Sequence, residues 1–242
     1  MPTINENSLS KLLSKDVSVR LIESHIYSVL PDIEVESSYE KKFGDIYDWV
    51  ACNPIYNRLV WGYSTSKFAS LTFNALTSSK KCFVLDAGCG SLAFTAKAYI
   101  RYSERLVVLI DQSLKLLRIA KSRITRLNGK VPDNMVFLHG DVLQLPFEPH
   151  TFQTITSLNL LHVLDDINKL IVGLRTVLAN DGKIYFTTLV QGKRVADRYL
   201  KAWENAGEVV SRDIIQLEAV FGRLGMPVKY DINGNMAFIY YD

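Results

Sequence analysis

Three acidic residues in the middle of the chain stand just past short apolar runs: Asp86 after Cys82–Leu85, Asp111 after Arg105–Ile110, and Asp141 shortly after Met135–Leu138. The first is followed by Ala87-Gly88-Cys89-Gly90. Glycines directly after a strand allow a sharp turn and let a ligand approach where a Cβ would clash. The helix predicted to begin near Ser91 points free N–H groups at the same space. Alone, Gly88-x-Gly90-x-x-Ala93 also fits a dinucleotide fingerprint, a weak signal without context. Asp86 separates the two readings, because a carboxylate at the strand end repels a pyrophosphate and attracts an ammonium through a charge-assisted contact. Asp111, which ends the second of these runs, stands where a carboxylate accepts hydrogen bonds from ribose hydroxyls. Its competing reading is a surface aspartate capping the helix that starts at Ser113. Asp141 is placed to accept from an adenine amino group while Val142 covers the ring. Acids after three consecutive strands describe a site for an adenosine joined to an amino acid, a more specific constellation than the glycines. His162, past the end of the next strand, is the candidate general base for a reaction that removes a proton; the competing reading is a histidine that packs or bonds locally. Tyr185 and Tyr199 are weaker candidates for the same role.

These groups need a rigid frame. From Lys81 onward short apolar runs alternate with helical stretches: strands at 82–85, 105–110, 135–138, 152–158 and 183–189, with helices at 92–103, 113–128 and 167–178. That alternation predicts a parallel sheet with helices on both faces. Asn180-Asp181-Gly182 reads as a turn. At the end, 226–232 and 235–241 read as two strands joined by Asn233-Gly234, a two-residue hairpin signal. The chain before Lys81 differs. Leu9, Leu12, Leu13, Val17, Leu21, Ile22 and Ile26 follow roughly helical spacing, which predicts a helix over 8–30. The stretch 45–76 is also mainly helical, with a break at Pro54, and rich in rings: Tyr47, Trp49, Tyr56, Trp61, Tyr63, Phe68 and Phe73. These rings either pack the helices onto the core or close over a ligand, with Tyr47 and Trp61 the candidates for closure.

The bulk composition excludes other classes. Of 242 residues, 48% are apolar and 22% charged. That is the balance of a globular protein with a full core. The net charge is +3 and no long block of like charges occurs, so nucleic acid is not an expected partner. The basic stretch Arg118–Arg126 reads as the solvated face of a helix. The three cysteines, Cys52, Cys82 and Cys89, form no C-x-x-C pair, so neither a disulfide framework nor a metal site is expected. No signal-peptide pattern and no apolar run long enough to span a bilayer is present, so the expectation is a cytoplasmic protein without a membrane span.

The runs VLDAGCGSLAFT (84–95), VVLIDQSLKLLRIAK (107–121), HGDVLQLPFEPHTFQTI (139–155), SLNLLHVL (157–164) and LRTVLANDGKIYFTTL (174–189) resemble the successive motifs of class I S-adenosylmethionine-dependent methyltransferases, in the small-molecule branch that includes the ubiquinone and menaquinone enzymes. The resemblance implies a Rossmann-like, mostly parallel seven-stranded sheet with an antiparallel last strand and helices on both faces. It implies an N-terminal helical cap or lid over 1–78 and a cofactor-binding domain over 79–242. By the same resemblance Asp86, Ala87, Gly88, Cys89 and Gly90 hold the methionine part of S-adenosylmethionine. Asp111 holds the ribose, with Gln112 beside the adenine; Asp141 and Val142 take the adenine edge and face; Asn159 and Leu160 lie beside the methyl and sulfur. The sequence departs from the pattern at Leu92, where a small residue is usual, and at Gln153, where aspartate is usual. The expected reaction is in-line methyl transfer to a small, apolar or aromatic acceptor, leaving S-adenosylhomocysteine. The alternatives are a non-catalytic or regulatory protein on the same fold and a nicotinamide-dependent oxidoreductase, the latter opposed by Asp86 and Asp141.

Overall fold

The computed structural model describes residues 9–31, 53–78, 83–101, 106–192 and 194–242. Apolar runs dictate the centre of the molecule. β3 (Phe83–Ala87), β4 (Leu106–Asp111), β5 (Met135–His139) and β6 (Phe152–Leu158) are parallel strands. They are buried on both faces, as their near-continuous hydrophobicity requires. Alternate residues feed two cores. Leu85, Val108, Ile110 and Ile155 join Leu170, Leu174 and Phe221 on one face. Val84, Val107 and Leu109 join Leu117, Ala120 and Ile124 on the other. The helices that supply those partners are stopped and started by local chemistry. α4 (Leu114–Asn128) starts at Ser113, whose hydroxyl accepts from Leu116 N, an N-cap bond. It ends at Gly129 in the left-handed conformation, the usual glycine stop. α5 (Ile167–Val177) starts at Asp166, and α7 (Ile214–Arg223) at an Asp213–Gln216 capping box, in which each residue satisfies a free N–H of the other.

Among the described residues the sheet has nine strands, in the order β1-β2-β5-β4-β3-β6-β7-β9-β8. Seven of them are the expected set. β7 (Leu178–Leu189) pairs parallel with β6, and β9 (Met236–Tyr241) pairs antiparallel with both β7 and β8 (Lys229–Asn233). The turn expected at Asn180-Asp181-Gly182 lies inside β7, where pairing shifts from Phe152↔Leu178 to Thr154↔Lys183. The strand therefore bulges at those polar residues instead of ending there.

The two additional strands correct the N-terminal reading. β1 (Arg20–Glu23) and β2 (Ile26–Ser28) form a hairpin, and β2 pairs parallel with β5 through Ile26↔Phe137 and Ser28↔His139. The predicted helix over 8–30 does not continue through 11–30: among the described residues of that stretch only Leu9 and Ser10 are helical. Leu9, Leu12 and Leu13 are buried as that helix requires, but Leu21 is 53% exposed. The edge of β5 offers backbone hydrogen bonds that outweigh weak helical periodicity.

Farther along, Pro54 begins a helix at its first position, α1 (Pro54–Tyr56), with Asn53 as cap. Proline suits that position because its missing N–H has no helical partner there. The helix widens into a π-turn over Asn57–Trp61 and stops at Gly62, which is left-handed. α2 (Ser66–Thr77) follows. Their rings form a third core against β7 and β9: Trp61, Tyr63 and Phe68 with Tyr185, Met236 and Phe238. α6 (Arg194–Asn205) closes this cluster, with Trp203 lying edge-on to Trp61 at 5.4 Å. No helix among the described residues is long and apolar enough to cross a membrane.

Candidate functional site

The chain leaves β3 for β4 on one side and returns to β6 on the other. The carboxyl ends of β3, β4, β5 and β6 therefore meet at a topological switch point, where open α/β sheets bind their ligands.

The loop after β3 is the most constrained segment there. The N–H groups of Gly88 and Cys89 both donate to Ile110 O, at 2.9 and 3.0 Å. Gly88, Gly90 and Leu92 have φ of +74°, +54° and +54°, so every second residue is left-handed. A Cβ on Gly88 would press on the Leu160 side chain at 2.8 Å, whereas one on Gly90 would meet nothing within 4 Å. Gly88 thus gives Leu160 its seat, joining the loops after β3 and β6, and Gly90 faces open space. Leu92 takes its left-handed conformation at a cost of about 1–2 kcal/mol, which glycine would avoid. Its side chain is 2% exposed and packs with Leu76, Val84 and Tyr99. It therefore supports the loop from the core side.

Asp86, 2% exposed, lies near the end of β3. Its Oδ2 accepts from the Tyr99 hydroxyl at 2.7 Å, while its Oδ1 is buried with no hydrogen-bond partner. Burial pushes its pKa up to about 6, the Asp111 charge adds to the rise, and the hydroxyls of Tyr99 and Thr156 oppose it. A buried carboxylate oxygen without a donor is costly, so this atom fits a cationic ligand group. Asp111, at the end of β4, accepts from Gly90 N through Oδ2 at 2.8 Å and from Ser113 N through Oδ1 at 2.9 Å. The helix cap is Ser113 itself, so Asp111 turns the chain just ahead of α4, and the same carboxylate also holds the glycine loop. Cys89 is a free thiol whose pKa is raised by burial and by Asp111 and Asp86.

After β5, Asp141 turns the chain through Leu143 N at 2.8 Å and Gln144 Nε2 at 3.3 Å, and Val142 is buried. His139 bridges Ser28 Oγ at 3.0 Å and the Gln112 carbonyl at 3.2 Å, tying β2 to the loop after β4; the Gln112 residue is exposed. After β6, Asn159 sits at φ +58°, a conformation asparagine tolerates. Its N–H donates to Thr187 O, and its Oδ1 accepts from Thr187 Oγ1 at 3.1 Å.

His162 is 5% exposed. Its Nδ1 accepts from Leu189 N at 3.3 Å and lies 3.2 Å from Thr188 Oγ1. Burial, aided by the Arg212 charge, lowers its pKa to about 4. The ring is neutral near neutral pH with its basic nitrogen engaged, so it is poorly disposed to take a proton from a substrate. Tyr185 is buried against Tyr240, and Tyr199 is 47% exposed beside Trp61. Trp61 is 2% exposed and packs in the third core. Tyr47 lies outside the described residues. Gln153 accepts from Phe83 N at 3.1 Å, stitching β6 to β3.

Several contributors escape sequence reasoning. Tyr99, on α3 (Ala96–Ile100), looks like one more core ring. Arg123, from the basic stretch, donates to the carbonyl and hydroxyl oxygens of Ser91 in the glycine loop. Arg212 donates to the carbonyls of Leu161, Leu164 and Asp165 and fixes the loop after β6. Phe94, just past the glycines, stacks on Phe68 at 5.4 Å and joins the loop to the third core. In each case the partner is distant in sequence, and no local spacing announces it.

Comparison with known proteins agrees with this geometry. Residues 84–182 match the family model of a methyltransferase domain. A demethylmenaquinone methyltransferase of Chlamydia pneumoniae is 26% identical over 156 residues, covering 61% of this chain and 65% of its own length. The match therefore spans just under two thirds of that relative. Among solved structures, a SAM-dependent methyltransferase from Aquifex aeolicus aligns with a TM-score of 0.58 at 16% identity, over 79% of this chain and 94% of the other. Geranyl diphosphate C-methyltransferase from Streptomyces coelicolor A3(2), solved with Mg2+, geranyl-S-thiolodiphosphate and S-adenosyl-L-homocysteine, aligns with a TM-score of 0.59 at 12% identity, over 73% of this chain and 74% of the other. At such identities the structural likeness is one of fold.

Proposed function

We propose, for a chain whose residues 84–182 match the family model of a methyltransferase domain, that it transfers the methyl group of S-adenosylmethionine to a small apolar or aromatic acceptor. The observation that carries the reading is the buried, unpartnered Oδ1 of Asp86 at the head of a glycine loop that Asp111 also holds. Two neighbouring carboxylates and an open approach at Gly90 suit an ammonium and a ribose. They do not suit a pyrophosphate.

The bound donor supplies a methyl group already activated on a sulfonium. Asp86 takes the ammonium through Oδ1, Asp111 accepts from ribose hydroxyls, and Asp141 and Val142 bind the adenine edge and face. Leu160, seated on Gly88, and Asn159, clamped by Thr187, form the wall between the loops after β3 and β6. Their work is alignment, which in a displacement of this kind accounts for much of the rate. The N-terminal segment serves as cap: Phe68 already reaches the glycine loop through Phe94. The rings of the third core next to that loop support an apolar or aromatic acceptor, as does the relative named for its action on demethylmenaquinone.

The test is calorimetry with S-adenosylhomocysteine, NAD and NADP, followed by methyl-transfer assays over quinone-like, prenyl, protein and RNA acceptors. Binding of S-adenosylhomocysteine alone and turnover on a small apolar acceptor are expected. Binding of a dinucleotide instead, or methylation confined to protein or RNA, would overturn the reading. In the same assay His162→Asn is expected to keep kcat within about fivefold of the parent, because the ring nitrogen it replaces is already engaged, whereas a lost general base costs roughly 10²–10⁴-fold. Its amide oxygen, at the position of Nδ1, can still accept from Leu189 N. A drop of about a thousandfold in a folded variant would restore His162 as the base.

A further inference from the structure

Asp86 is embedded in a relay of hydroxyls that the resemblance does not mention. Tyr99, 1% exposed, donates its single phenolic proton to Asp86 Oδ2 at 2.7 Å. Its oxygen lies 3.1 Å from Thr156 Oγ1. With the phenolic proton given to Asp86, Thr156 is the donor of that second bond, which at 3.1 Å is shorter than its alternative, the Leu85 carbonyl at 3.5 Å. Three elements therefore converge: β3 through Asp86, α3 through Tyr99, β6 through Thr156. One carboxylate oxygen is satisfied by protein and the other, Oδ1, is not. Burial and the Asp86 charge hold the Tyr99 pKa well above its ordinary value, so this hydroxyl stays a donor.

Resting on the donor site proposed above, we propose that Tyr99 is a positioning residue: by occupying Oδ2 it presents Oδ1 of Asp86 as the acceptor for the donor's ammonium and favours the ionised carboxylate that this contact needs. Without Tyr99, both oxygens are buried without a strong donor and the carboxylate holds its proton to higher pH. The groups facing Asp86 among the described residues are the Tyr99 and Thr156 hydroxyls, the Asp111 carboxylate and the Cys89 thiol. The two hydroxyls favour ionisation, and the Asp111 charge opposes it. A protonated Asp86 cannot pair with an ammonium, so donor binding weakens as pH falls through the Asp86 titration.

The test compares two ligands that share the adenosine and thioether: S-adenosylhomocysteine, with its ammonium, and 5′-methylthioadenosine, without it. Tyr99→Phe is expected to weaken S-adenosylhomocysteine about tenfold near neutral pH and methylthioadenosine less than about twofold. The pH midpoint of S-adenosylhomocysteine binding should move up, with the methylthioadenosine profile, which shares Asp111, subtracted as the reference. Thr156→Val, which removes only the outer hydroxyl, should act in the same direction more weakly, and it carries the test if Tyr99→Phe does not fold. In the unaltered protein the affinity ratio of the two ligands should narrow at acid pH. Equal weakening of both ligands, an unmoved midpoint, or a ratio independent of pH would each overturn the role of Tyr99. Failure of the unaltered protein to bind S-adenosylhomocysteine at all would instead overturn the proposed function beneath it.

Discussion

Gly234→Ala is expected to destabilise the protein by about 4 kcal/mol, the largest effect of any single methyl added among the described glycines. Gly234 makes the tight end of the hairpin between β8 and β9, with φ +62°. An alanine pays about 1–2 kcal/mol for that conformation alone. Space is the second cost. A Cβ at Gly234 would overlap the carbonyl oxygen of Trp61 and stand 2.6 Å from the carbonyl carbon of Gly62. Both are backbone atoms, so no rotamer change relieves the overlap, and the two segments must part. Parting them breaks the bond from Asn235 N to Trp61 O at 2.9 Å and displaces Trp61 from the third core. Over-packing of this kind costs about 1–3 kcal/mol. Gly129→Ala is the control for conformation without contact, since Gly129 is also left-handed and has nothing within 4 Å of its Cβ position. It should lose only about 1–2 kcal/mol. Urea midpoints measured side by side decide the matter, and equal shifts for the two variants would show that the contact with Trp61 carries no energy.

Asn233-Gly234 also shows what a sequence can and cannot say. The hairpin is legible because a two-residue turn needs a residue that accepts positive φ, although the turn falls one residue later than the sequence suggests, on Gly234-Asn235, with Asn233 still paired to Met236. That the same glycine must admit the carbonyl of Trp61, from the far end of the chain, is not legible, because packing between distant segments leaves no local spacing. The proposed donor site divides in the same way. Asp86, Gly88, Gly90 and Asp111 are readable since strand ends and glycines have a local logic. Tyr99 is not, since a phenol inside an apolar helix reads as core until its hydroxyl is found beside a carboxylate. Leu92 is ambiguous in sequence, and its burial on the core side resolves it. The hairpin β1–β2 defeats periodicity because a short strand completing a sheet edge is selected by its partner β5 more than by its own pattern.

Asp86→Asn is expected to weaken S-adenosylhomocysteine binding at least about a hundredfold at mildly alkaline pH while making the free protein more stable, not less. The first effect follows from removing the charge that faces the ammonium, with every shape contact kept. The second follows from the sign of the pKa shift. Asp86 has its pKa raised from 3.8 to about 6, so between those values the folded state binds the proton that the unfolded state has lost. Stability from this group is therefore highest at low pH and falls as pH rises through the folded-state value. A shift of about two units corresponds to a cost of about 3 kcal/mol once the group is fully ionised. Asparagine has no charge to bury and can still accept from Tyr99, but its amide N–H2 stands where Oδ1 had no partner and returns about 1–3 kcal/mol of that gain. A net gain of up to roughly 2 kcal/mol remains near pH 7.5 and is lost toward pH 4, where the parent carboxyl is neutral too. Urea unfolding at both pH values, without ligand, checks the sign. A variant less stable than the parent at the higher pH would mean that Asp86 already has a compensating cation, and the site would then have no charge left to offer a donor. On the proposed reading the buried carboxylate is a strain held by the free protein and relieved by a cationic ligand, so that the same residue opposes folding and favours binding.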